Sequence, residues 1–345
     1  MGKIITIGLD IAKNVFQVHG VDAAGAVVVR QKLQRSALLA FFERMEPSLV
    51  GIEACATAHH WARSIMAFGH TVKLMPPAYV KPYVKRQKND TADAEAICEA
   101  VTRPTMRFVP VKGEEQQSVL VLHRTRDLLI RQRTMLINAL RAHLAEFGII
   151  TRQGRLGVAT LVTLIEKGEA ELIPTMAREA LLAVINQMRD THKRIGSIER
   201  KIQIWHRSNE QSRRLETIPG IGPITASAIA ATITDASLFR SGRELAAWIG
   251  LVPRQSSSGG KERLGHITKK GDSYIRRLLV VGAHAVLKVA RHKEIPTTQW
   301  AAALLARKPY KLAAVACANK MARIVWALLT KSETYRAQPV CLTTA

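Results

Sequence analysis

The segment KNDTADA contains two aspartates, Asp90 and Asp93, three residues apart at the start of a stretch with helical periodicity. At about 100° per residue, both fall on the same predicted helical face as Ile97 and Val101, and the two following glutamates fall on the opposite face. A carboxylate on an apolar face is unfavourable unless it pairs with or binds a cation. Acids in the first turn also complement the helix dipole. Two interpretations therefore stay open for this pair: half of a metal site, or a helix start.

Two further carboxylates end predicted strands. Asp10 closes the apolar run KIITIGLD, and Glu53 ends the run LVGIE. A carboxylate at the end of a buried strand in an α/β sheet faces the crevice in which such sheets bind ligands. Four oxygen donors in one cleft suit Mg²⁺ or Mn²⁺, and two such ions can stabilise both oxygens of a phosphoryl transfer. The four acids Asp10, Glu53, Asp90 and Asp93 are therefore the predicted catalytic and metal-binding residues.

The elements that must position these acids can be predicted from short apolar runs and period-two alternation. Three strands joined by hairpins are followed by a helix, a strand, a helix and a strand. This order is typical of an RNase H-like α/β fold, in which the first and fourth strands are adjacent. Asp10 and Glu53 would then converge at one edge of the sheet. We expect this domain to span residues 1–112.

Long amphipathic helices are predicted for residues 113–212. Residues 114–147 contain no proline or glycine, and Leu122, Leu129 and Leu136 recur every seven residues. A polar, glycine-bearing break separates this helix from a second one with the same seven-residue spacing. The two helices would pair with each other as a coiled coil or form an oligomer interface.

A mainly α-helical domain is predicted for residues 213–332, followed by a tail at 333–345. The segment IPGIGPITASAI resembles a helix-hairpin-helix element, in which Gly220 and Gly222 would let backbone N–H groups approach a phosphate. Tight helix packing explains these two glycines equally well. The polar segment RQSSSGGKERLGHITKKGD is predicted to be a loop.

The net charge indicates a polyanionic partner. Lys and Arg number 51 against 27 Asp and Glu, which gives +24, and a basic surface gains affinity by releasing counterions from nucleic acid. The four cysteines form no CxxC pair and the start lacks a signal peptide, so we expect a cytoplasmic protein. The late apolar segment is interrupted by Lys320 and Arg323, so no membrane span is predicted.

Several segments together resemble the DEDD transposases of bacterial insertion sequences, within the IS110 group and its IS1111 branch. The resemblance runs from about Lys3 to about Leu329, in the order and spacing of that family. Its motifs are GLDIAKN, GIEA, KNDTADA, IPGIG, GLVPRQSSSGG and ITKKGDSYIRRLL.

The resemblance implies a function beyond what composition indicates. The four acids match the family's acids residue for residue, in a RuvC-like RNase H domain. The serine before the glycines of QSSSGG, Ser258, matches the family's nucleophile, which attacks a DNA phosphate and forms a phosphoserine link. Ser256 and Ser257 directly precede it, so the register of the nucleophile stays open. The family implies a structured bridge RNA that pairs with donor and target DNA, and a dimer or tetramer with a composite site, associated with the bacterial nucleoid.

Candidate nucleic-acid contacts are basic, aromatic or glycine residues in two regions. Aromatic rings among cations can stack on unpaired bases, and lysines and arginines position a duplex through its phosphates. A solvated charged face is the alternative for any one of them. The candidates are Lys81, Tyr83, Lys85, Arg86, Lys88, Gly220, Gly222, Arg254, Lys261, Arg263, Lys269, Lys270, Arg276 and Arg277.

Three functional hypotheses follow. The first is a metal-dependent, RNA-guided DNA recombinase that uses Ser258; no Walker-type GxxxxGK[ST] sequence is present, and a phosphoserine intermediate would conserve the phosphodiester bond energy. The second is a Holliday-junction-type nuclease in which the same acids activate water. The third is a non-enzymatic, basic nucleic-acid-binding scaffold whose acids serve the structure.

Overall fold

A computed structural model describes residues 3–85, 89–168, 172–257, 261, 263–292 and 299–336. The chain forms two compact units, Met1–Glu115 and Gln116–Ala345. The elements of the first unit are β1 (Thr6–Ile11), β2 (Val15–Val21), β3 (Val27–Gln34), α1 (Leu38–Glu43), β4 (Leu49–Glu53), α2 (Ala58–Met66), β5 (Thr71–Met75), α3 (Pro77–Val80) and α4 (Asp90–Val101).

The first unit is built on one mixed five-stranded sheet in the order β3-β2-β1-β4-β5. The strands β1, β2 and β3 pair antiparallel, and β4 and β5 continue the sheet in parallel to β1. The predicted order of three strands, helix, strand, helix and strand is confirmed, as is the adjacency of the first and fourth strands.

The two faces of the sheet are covered by different helices. On one face, Ile7 and Leu9 are fully buried together with residues of α1 and α2. On the other face, α4 lies directly on β1: a Cβ added to Gly8 would be 2.0 Å from the backbone oxygen of Ala94. A Cβ added to Gly51 on β4 would be 2.8 Å from Val101 Cβ. The two glycines therefore allow α4 to cross β1 and β4 at backbone contact distance.

The second unit is mostly helical. The predicted long helices are confirmed as α5 and α7, and a shorter helix, α6, lies between them where the sequence predicts only a break. Its first helix, α5, begins just before the boundary between the two units. The elements of this unit are α5 (Glu114–Ala145), α6 (Arg155–Lys167), α7 (Thr175–Ser208), α8 (Glu210–Glu216), α9 (Pro223–Thr232), α10 (Gly242–Trp248), β6 (Pro253–Gln255), β7 (Leu264–Ile267), α11 (Ser273–His292), α12 (Gln299–Arg307) and α13 (Tyr310–Lys331).

The helices α5 and α7 are linked to each other within one chain. Leu140 of α5 and Ile185 of α7 are buried in a common apolar cluster to which α6 also contributes. Further along, the Arg126 guanidinium of α5 pairs with Glu199 of α7 at 2.7 Å. Of the two sequence interpretations, pairing within the chain is therefore confirmed.

A buried histidine ties α5 to the C-terminal helices. His123 is 1% exposed; its Nε2 lies 3.1 Å from Ser227 Oγ on α9, and its Nδ1 lies 3.1 Å from the Tyr274 hydroxyl on α11. Because Ser227 donates its own proton to the Pro223 carbonyl, the geometry assigns the proton of the ring to Nε2. Burial lowers the pKa of His123 to about 4, so the ring is neutral and acts as one donor and one acceptor.

The C-terminal core is formed mainly by α9, α10, α11 and α13. By length and composition, α13 is the described helix that could cross a membrane. Eight of its residues are buried in this core, which accounts for its apolar composition.

The polar segment that the sequence predicts as a loop contains a β-hairpin, so that prediction is wrong in this respect. The strands β6 and β7 pair antiparallel. They are short and mostly exposed, so they lack the alternation of apolar and polar residues that identifies a half-buried strand.

Substitution of Gly8 tests the seating of α4 on β1. Gly8→Ala should lower the free energy of unfolding by about 1–3 kcal/mol, because the added methyl group overlaps backbone atoms that cannot rotate away. Urea denaturation followed by circular dichroism measures the change.

Gly196→Ala provides the matched control. Gly196 lies inside α7 with open space around its Cα, so the same change there should raise stability by about 0.5–1 kcal/mol. A Gly8→Ala protein as stable as the wild type would show that α4 does not lie against β1.

Candidate active site

Asp10 and Glu53 lie at the ends of neighbouring parallel strands. In the β1–β4 register, Leu9 is opposite Ile52, so the next residue on each strand is one of the two acids. Because side chains alternate along a strand, Asp10 is on the same side of β1 as Gly8, which is the side that α4 covers. The predicted convergence of the two strand ends is therefore present in the fold.

The other two acids lie in the first turn of α4. Asn89 caps this helix by accepting a hydrogen bond from the backbone N–H of Ala92 at 2.7 Å, which is a favoured residue and geometry for a helix start. Asp93 is half-buried, but Asp90 is exposed. The prediction that both aspartates lie on the buried face is wrong for Asp90.

The position along the helix explains this difference. The buried stripe of α4 begins at Ala94 and continues through Ile97 and Val101. Asp90 extends the same stripe by one turn, beyond the part of the helix that packs on the sheet. A helical projection gives the angle of a residue around the axis but not whether the helix is still covered there.

The three other acids act electrostatically on Asp10. Burial, together with repulsion from Asp93, Asp90 and Glu53, raises the pKa of Asp10 to about 6. A shift of this kind is typical of carboxylates that share a site. Among the described residues, no lysine or arginine forms an ion pair with Asp10, Asp90 or Asp93.

The donor set fits a divalent cation in its chemistry. Carboxylates are the hard oxygen ligands that Mg²⁺ and Mn²⁺ prefer, and three of these four form no ion pair with a described lysine or arginine. Among the described residues, however, no three acidic, histidine or cysteine side chains converge closely enough to coordinate one ion. The strand ends and the first turn of α4 thus bring the ligands into one region, and their side chains would have to turn inward to bind the metal.

One further residue, which no sequence pattern indicates, lies beside this group. Gln17 lies directly opposite Asp10 in the β1–β2 register, it is 4% exposed, and its Oε1 accepts no hydrogen bond from the described residues. Cross-strand partners lie on the same face of a sheet, so Gln17 is on the side covered by α4. An unsatisfied buried amide oxygen is uncommon and unfavourable. Only the strand register identifies this residue, and the sequence alone does not give that register.

The hairpin β6–β7 carries the serines. The Ser256 N–H donates to the Arg263 carbonyl at 3.0 Å. The Ser257 hydroxyl accepts hydrogen bonds from Gln255 Nε2 at 3.2 Å and from the Arg263 N–H at 3.4 Å. The predicted nucleophile, Ser258, lies outside the described residues.

The candidate nucleic-acid contacts of the first unit differ in how far they are already engaged. Lys81 is exposed. Tyr83 is half-buried against the apolar cluster beneath α4, and the Arg103 guanidinium lies 5.7 Å from its ring centroid. The Lys85 ammonium pairs with Glu95 at 2.8 Å. Arg86 and Lys88 lie outside the described residues.

Most candidate contacts of the second unit are exposed. Arg254, Lys261, Arg263, Lys269 and Lys270 all lie on or next to the hairpin β6–β7 and are exposed to solvent.

Two arginines of α11 have protein partners instead. The Arg276 guanidinium donates to the backbone carbonyls of Ile249 and Lys270, at 2.8 and 2.7 Å. Arg277 pairs with Asp127. Their contact with phosphate stays a prediction, and each also has a structural role.

Asp272 caps α11, because its carboxylate accepts hydrogen bonds from two backbone N–H groups.

The two glycines of IPGIG have different surroundings. Gly220 has φ +85°, and an added Cβ would lie 2.7 Å from the Gly282 carbonyl oxygen on α11. Its conformation and close packing therefore explain this glycine. Gly222 is exposed at the N-terminus of α9, with open space around it. Phosphate binding by the two residues stays a prediction.

Comparison with known proteins gives the family. Residues 7–149 match the family model of the DEDD transposase of IS110 elements, and residues 212–298 match the model described as the transposase IS116/IS110/IS902 family. The chain is 49% identical over 331 residues to a probable family 20 transposase of Pseudomonas aeruginosa, covering 96% of this chain and 98% of the relative. It is 40% identical over 336 residues to the transposase for insertion sequence element IS1111A of Coxiella burnetii, covering 97% and 92%. It is also 40% identical to the transposase for IS1328 of Yersinia enterocolitica, covering 97% and 99%.

An α/β unit with a five-stranded sheet, followed by a helical unit, is thus consistent with the architecture of a DEDD-type transposase. The chain belongs to the IS110/IS116 family of insertion-sequence transposases. Membership of this family implies cleavage and rejoining of DNA, and the DEDD domain implies dependence on a divalent metal.

The raised pKa of Asp10 predicts a pH dependence of stability. Its pKa lies near 6 in the folded protein, above the ordinary value of 3.8, so the folded state binds this proton more tightly than the unfolded state. The resulting stabilisation is complete below about pH 4 and is lost as the pH rises through 6. In EDTA, the melting temperature of Asp10→Asn should therefore exceed that of the wild type at pH 7.5 by a few degrees, with a smaller difference at pH 5. Equal differences at both pH values would contradict the coupling of the acids.

The buried oxygen of Gln17 gives a second prediction. Gln17→Met keeps the length of the side chain and removes the unsatisfied amide, so the free energy of unfolding should rise by about 1 kcal/mol. The matched control is Gln31→Met on β3, where the glutamine is exposed and little change is expected. Thermal melting in EDTA measures both. A loss of stability in Gln17→Met would show that its amide is satisfied in the folded protein.

Proposed function

We propose that this protein is a metal-dependent DNA recombinase that cleaves and rejoins strands through a phosphoserine intermediate at Ser258, guided by a bridge RNA. The first unit acts as a RuvC-like RNase H domain with Asp10, Glu53, Asp90 and Asp93 as its metal ligands. The element order and the strand order β3-β2-β1-β4-β5 support this assignment.

The observation that carries the proposal is the effect of three other acids on Asp10. Asp10 feels the charges of Asp93, Asp90 and Glu53, although they are distant in sequence and lie on three different elements. A structural role alone does not account for grouping carboxylates that repel one another in the folded state. Divalent ions, when bound by these acids, would stabilise the charge that develops on a phosphate under attack.

The serine would then act as the nucleophile. Its Oγ attacks the phosphorus, a P–Oγ bond forms, and the bond from phosphorus to one deoxyribose oxygen breaks. The proton of the serine is lost, and the departing oxygen takes up a proton to become a hydroxyl group. Attack by a hydroxyl group of the partner strand on the phosphoserine reverses these changes. The number of phosphodiester bonds is conserved, so strands can be resealed without ATP.

The hydrogen bonds of Ser257 support the proposed choice of Ser258. The Ser257 hydroxyl accepts hydrogen bonds from Gln255 and from Arg263, which supports a structural role for this hydroxyl within the hairpin. Among the described residues of the hairpin, no carboxylate lies within hydrogen-bonding reach of Ser256 or Ser257 as a base. A serine hydroxyl is a weak nucleophile without a base or a metal, which supports activation by the acids of a composite site.

RNA guidance and multimer formation complete the proposal. The charge of +24 supports partners that together carry many phosphates. Val121, Leu128 and Met135 recur every seven residues on α5 and are 55%, 46% and 69% exposed. Such an uncovered apolar stripe at heptad spacing supports contact with a second copy of the chain. We place the protein in the bacterial cytoplasm, at the nucleoid, where donor and target DNA are found.

Trapping of a covalent adduct tests the proposal. The protein is incubated with labelled DNA carrying the ends of its element, with Mg²⁺ and the RNA transcribed from the DNA flanking its reading frame. We expect labelled DNA attached to the protein in a denaturing gel, with the phosphodiester on the peptide that contains Ser258. Ser258→Ala should reduce the adduct by at least about a thousandfold, because alanine has no hydroxyl group to attack the phosphate.

Two serine variants provide matched controls, and other outcomes point to the other hypotheses. Ser256→Ala and Ser257→Ala should keep the adduct. Cleavage without an adduct, retained in Ser258→Ala and lost in Asp93→Asn, would instead identify a hydrolytic nuclease. The absence of metal-dependent cleavage with any DNA would leave the nucleic-acid-binding scaffold. Adduct formation that is independent of the flanking RNA would remove the guide from the proposal and keep the recombinase.

A further inference from the structure

A large open groove lies within the second unit. Its volume is about 1790 Å³, which exceeds the 300–1,000 Å³ that is usual for small-molecule sites. The groove is lined by the N-terminal part of α10, the hairpin β6–β7, the start of α12 and one face of α13. Its size therefore suits an extended ligand better than a metabolite.

The charge of the lining is entirely positive among the described residues. Six lysines and arginines line the groove, and no aspartate or glutamate does. Five of them are exposed, and none of these five forms an ion pair or a side-chain hydrogen bond with a described residue. The six are Arg243, Arg254, Lys269, Lys311, Lys320 and Arg323.

The floor of the groove is apolar and aromatic. Leu312 of α13 is 53% exposed, and Val315 and Ile324 lie on the same helix. Trp300 contributes its ring from α12, with the Lys320 ammonium 4.1 Å from the ring centroid. A duplex presents mainly phosphates to such a groove, whereas an unpaired strand also presents base faces that can cover an apolar floor.

We propose that this groove binds an unpaired nucleic-acid strand, with the phosphates on the six cations and at least one base on the apolar floor beside Trp300. The positive lining selects a polyanion, and the combination of cations with an aromatic floor is that of single-strand binding surfaces. The groove borders the hairpin that carries the serines, since Arg254 and His266 line it. A strand held there would lie against the hairpin whose sequence leads into the predicted nucleophile.

Single-strand binding by the groove deepens the proposed function. It rests on that function only in assuming that the protein meets melted DNA or RNA. Binding is therefore measured without divalent metal, so that a failure of strand cleavage does not affect the result. The full-length protein is titrated against a fluorescent 20-mer of deoxythymidine, a 20-mer of uridine, and a duplex DNA of the same length. The two homopolymers form no secondary structure and separate DNA from RNA as the occupant.

Two triple variants with the same change in charge form the central comparison. The groove variant is Arg254→Ala, Lys311→Ala and Arg323→Ala. The control is Lys201→Ala, Arg207→Ala and Arg213→Ala, in which one lysine and two arginines are again removed from exposed positions on α7 and α8. We expect the groove variant to lose about tenfold or more in single-strand affinity at 150 mM salt. Its salt dependence, the slope of log K against log[salt], should fall by about two, since each lost phosphate contact on a single strand contributes about 0.7. Equal losses in both variants would overturn the proposal.

Substitution of Trp300 tests the aromatic part of the site. Trp300→Leu should weaken single-strand binding about tenfold and leave duplex binding within about twofold. Trp300→Phe keeps an aromatic ring and should bind within about threefold of the wild type. This variant is the control that separates loss of the ring from misfolding of the leucine variant. Equal weakening of the single-strand and duplex affinities would overturn the single-strand assignment.

Intact nucleic-acid binding by the groove variant, together with a smaller particle by light scattering, would instead identify the groove as a protein interface.

Discussion

The contact between α4 and β1 is the constraint on which the candidate active site depends. The absence of a side chain at Gly8 lets the backbone of Ala94 lie where a Cβ would be 2.0 Å away. This contact fixes the start of α4 over the ends of β1 and β4, so that the first turn of the helix comes near Asp10 and Glu53. The carboxylates are thus positioned by backbone packing on a sheet, a more rigid support than a loop. Asn89 fixes the point at which the helix begins, and with it the location of Asp90 and Asp93.

The same packing brings like charges together, and this has an energetic consequence. Asp10 is partly removed from water and is repelled by the charges of three other acids, so its charged form is disfavoured in the folded protein. Gln17, on the same face of the sheet, adds an amide oxygen that no described residue satisfies. Both features lower the stability of the free protein and are the kind of local conflict that proteins retain at functional sites. They are resolved if a cation binds, because it pairs with the carboxylates and attracts nearby oxygens.

Much of the fold could be predicted from the sequence because its signals are local. The short apolar runs of β1 and β4 and the heptad spacing of α5 and α7 each identify an element without knowledge of the others. The hairpin β6–β7 could not be predicted, because its strands are exposed and carry no alternation of apolar residues. The exposure of Asp90 depends on where α4 leaves the sheet, and the position of Gln17 depends on the strand register. These are tertiary properties. The acids themselves were identified from their placement at strand ends and on one helical face, and Ser258 only from its family motif.

The central claim is that four acids from three elements form one divalent-metal site. Titration of full-length protein with Mn²⁺, followed by electron paramagnetic resonance of the free ion, tests it most directly. We predict saturable binding by the wild type that is weakened at least tenfold in Asp10→Asn and in Asp93→Asn. Glu99→Gln, on the same helix but paired with Arg103, should bind as the wild type does. Equal Mn²⁺ affinity in all four proteins would contradict the account.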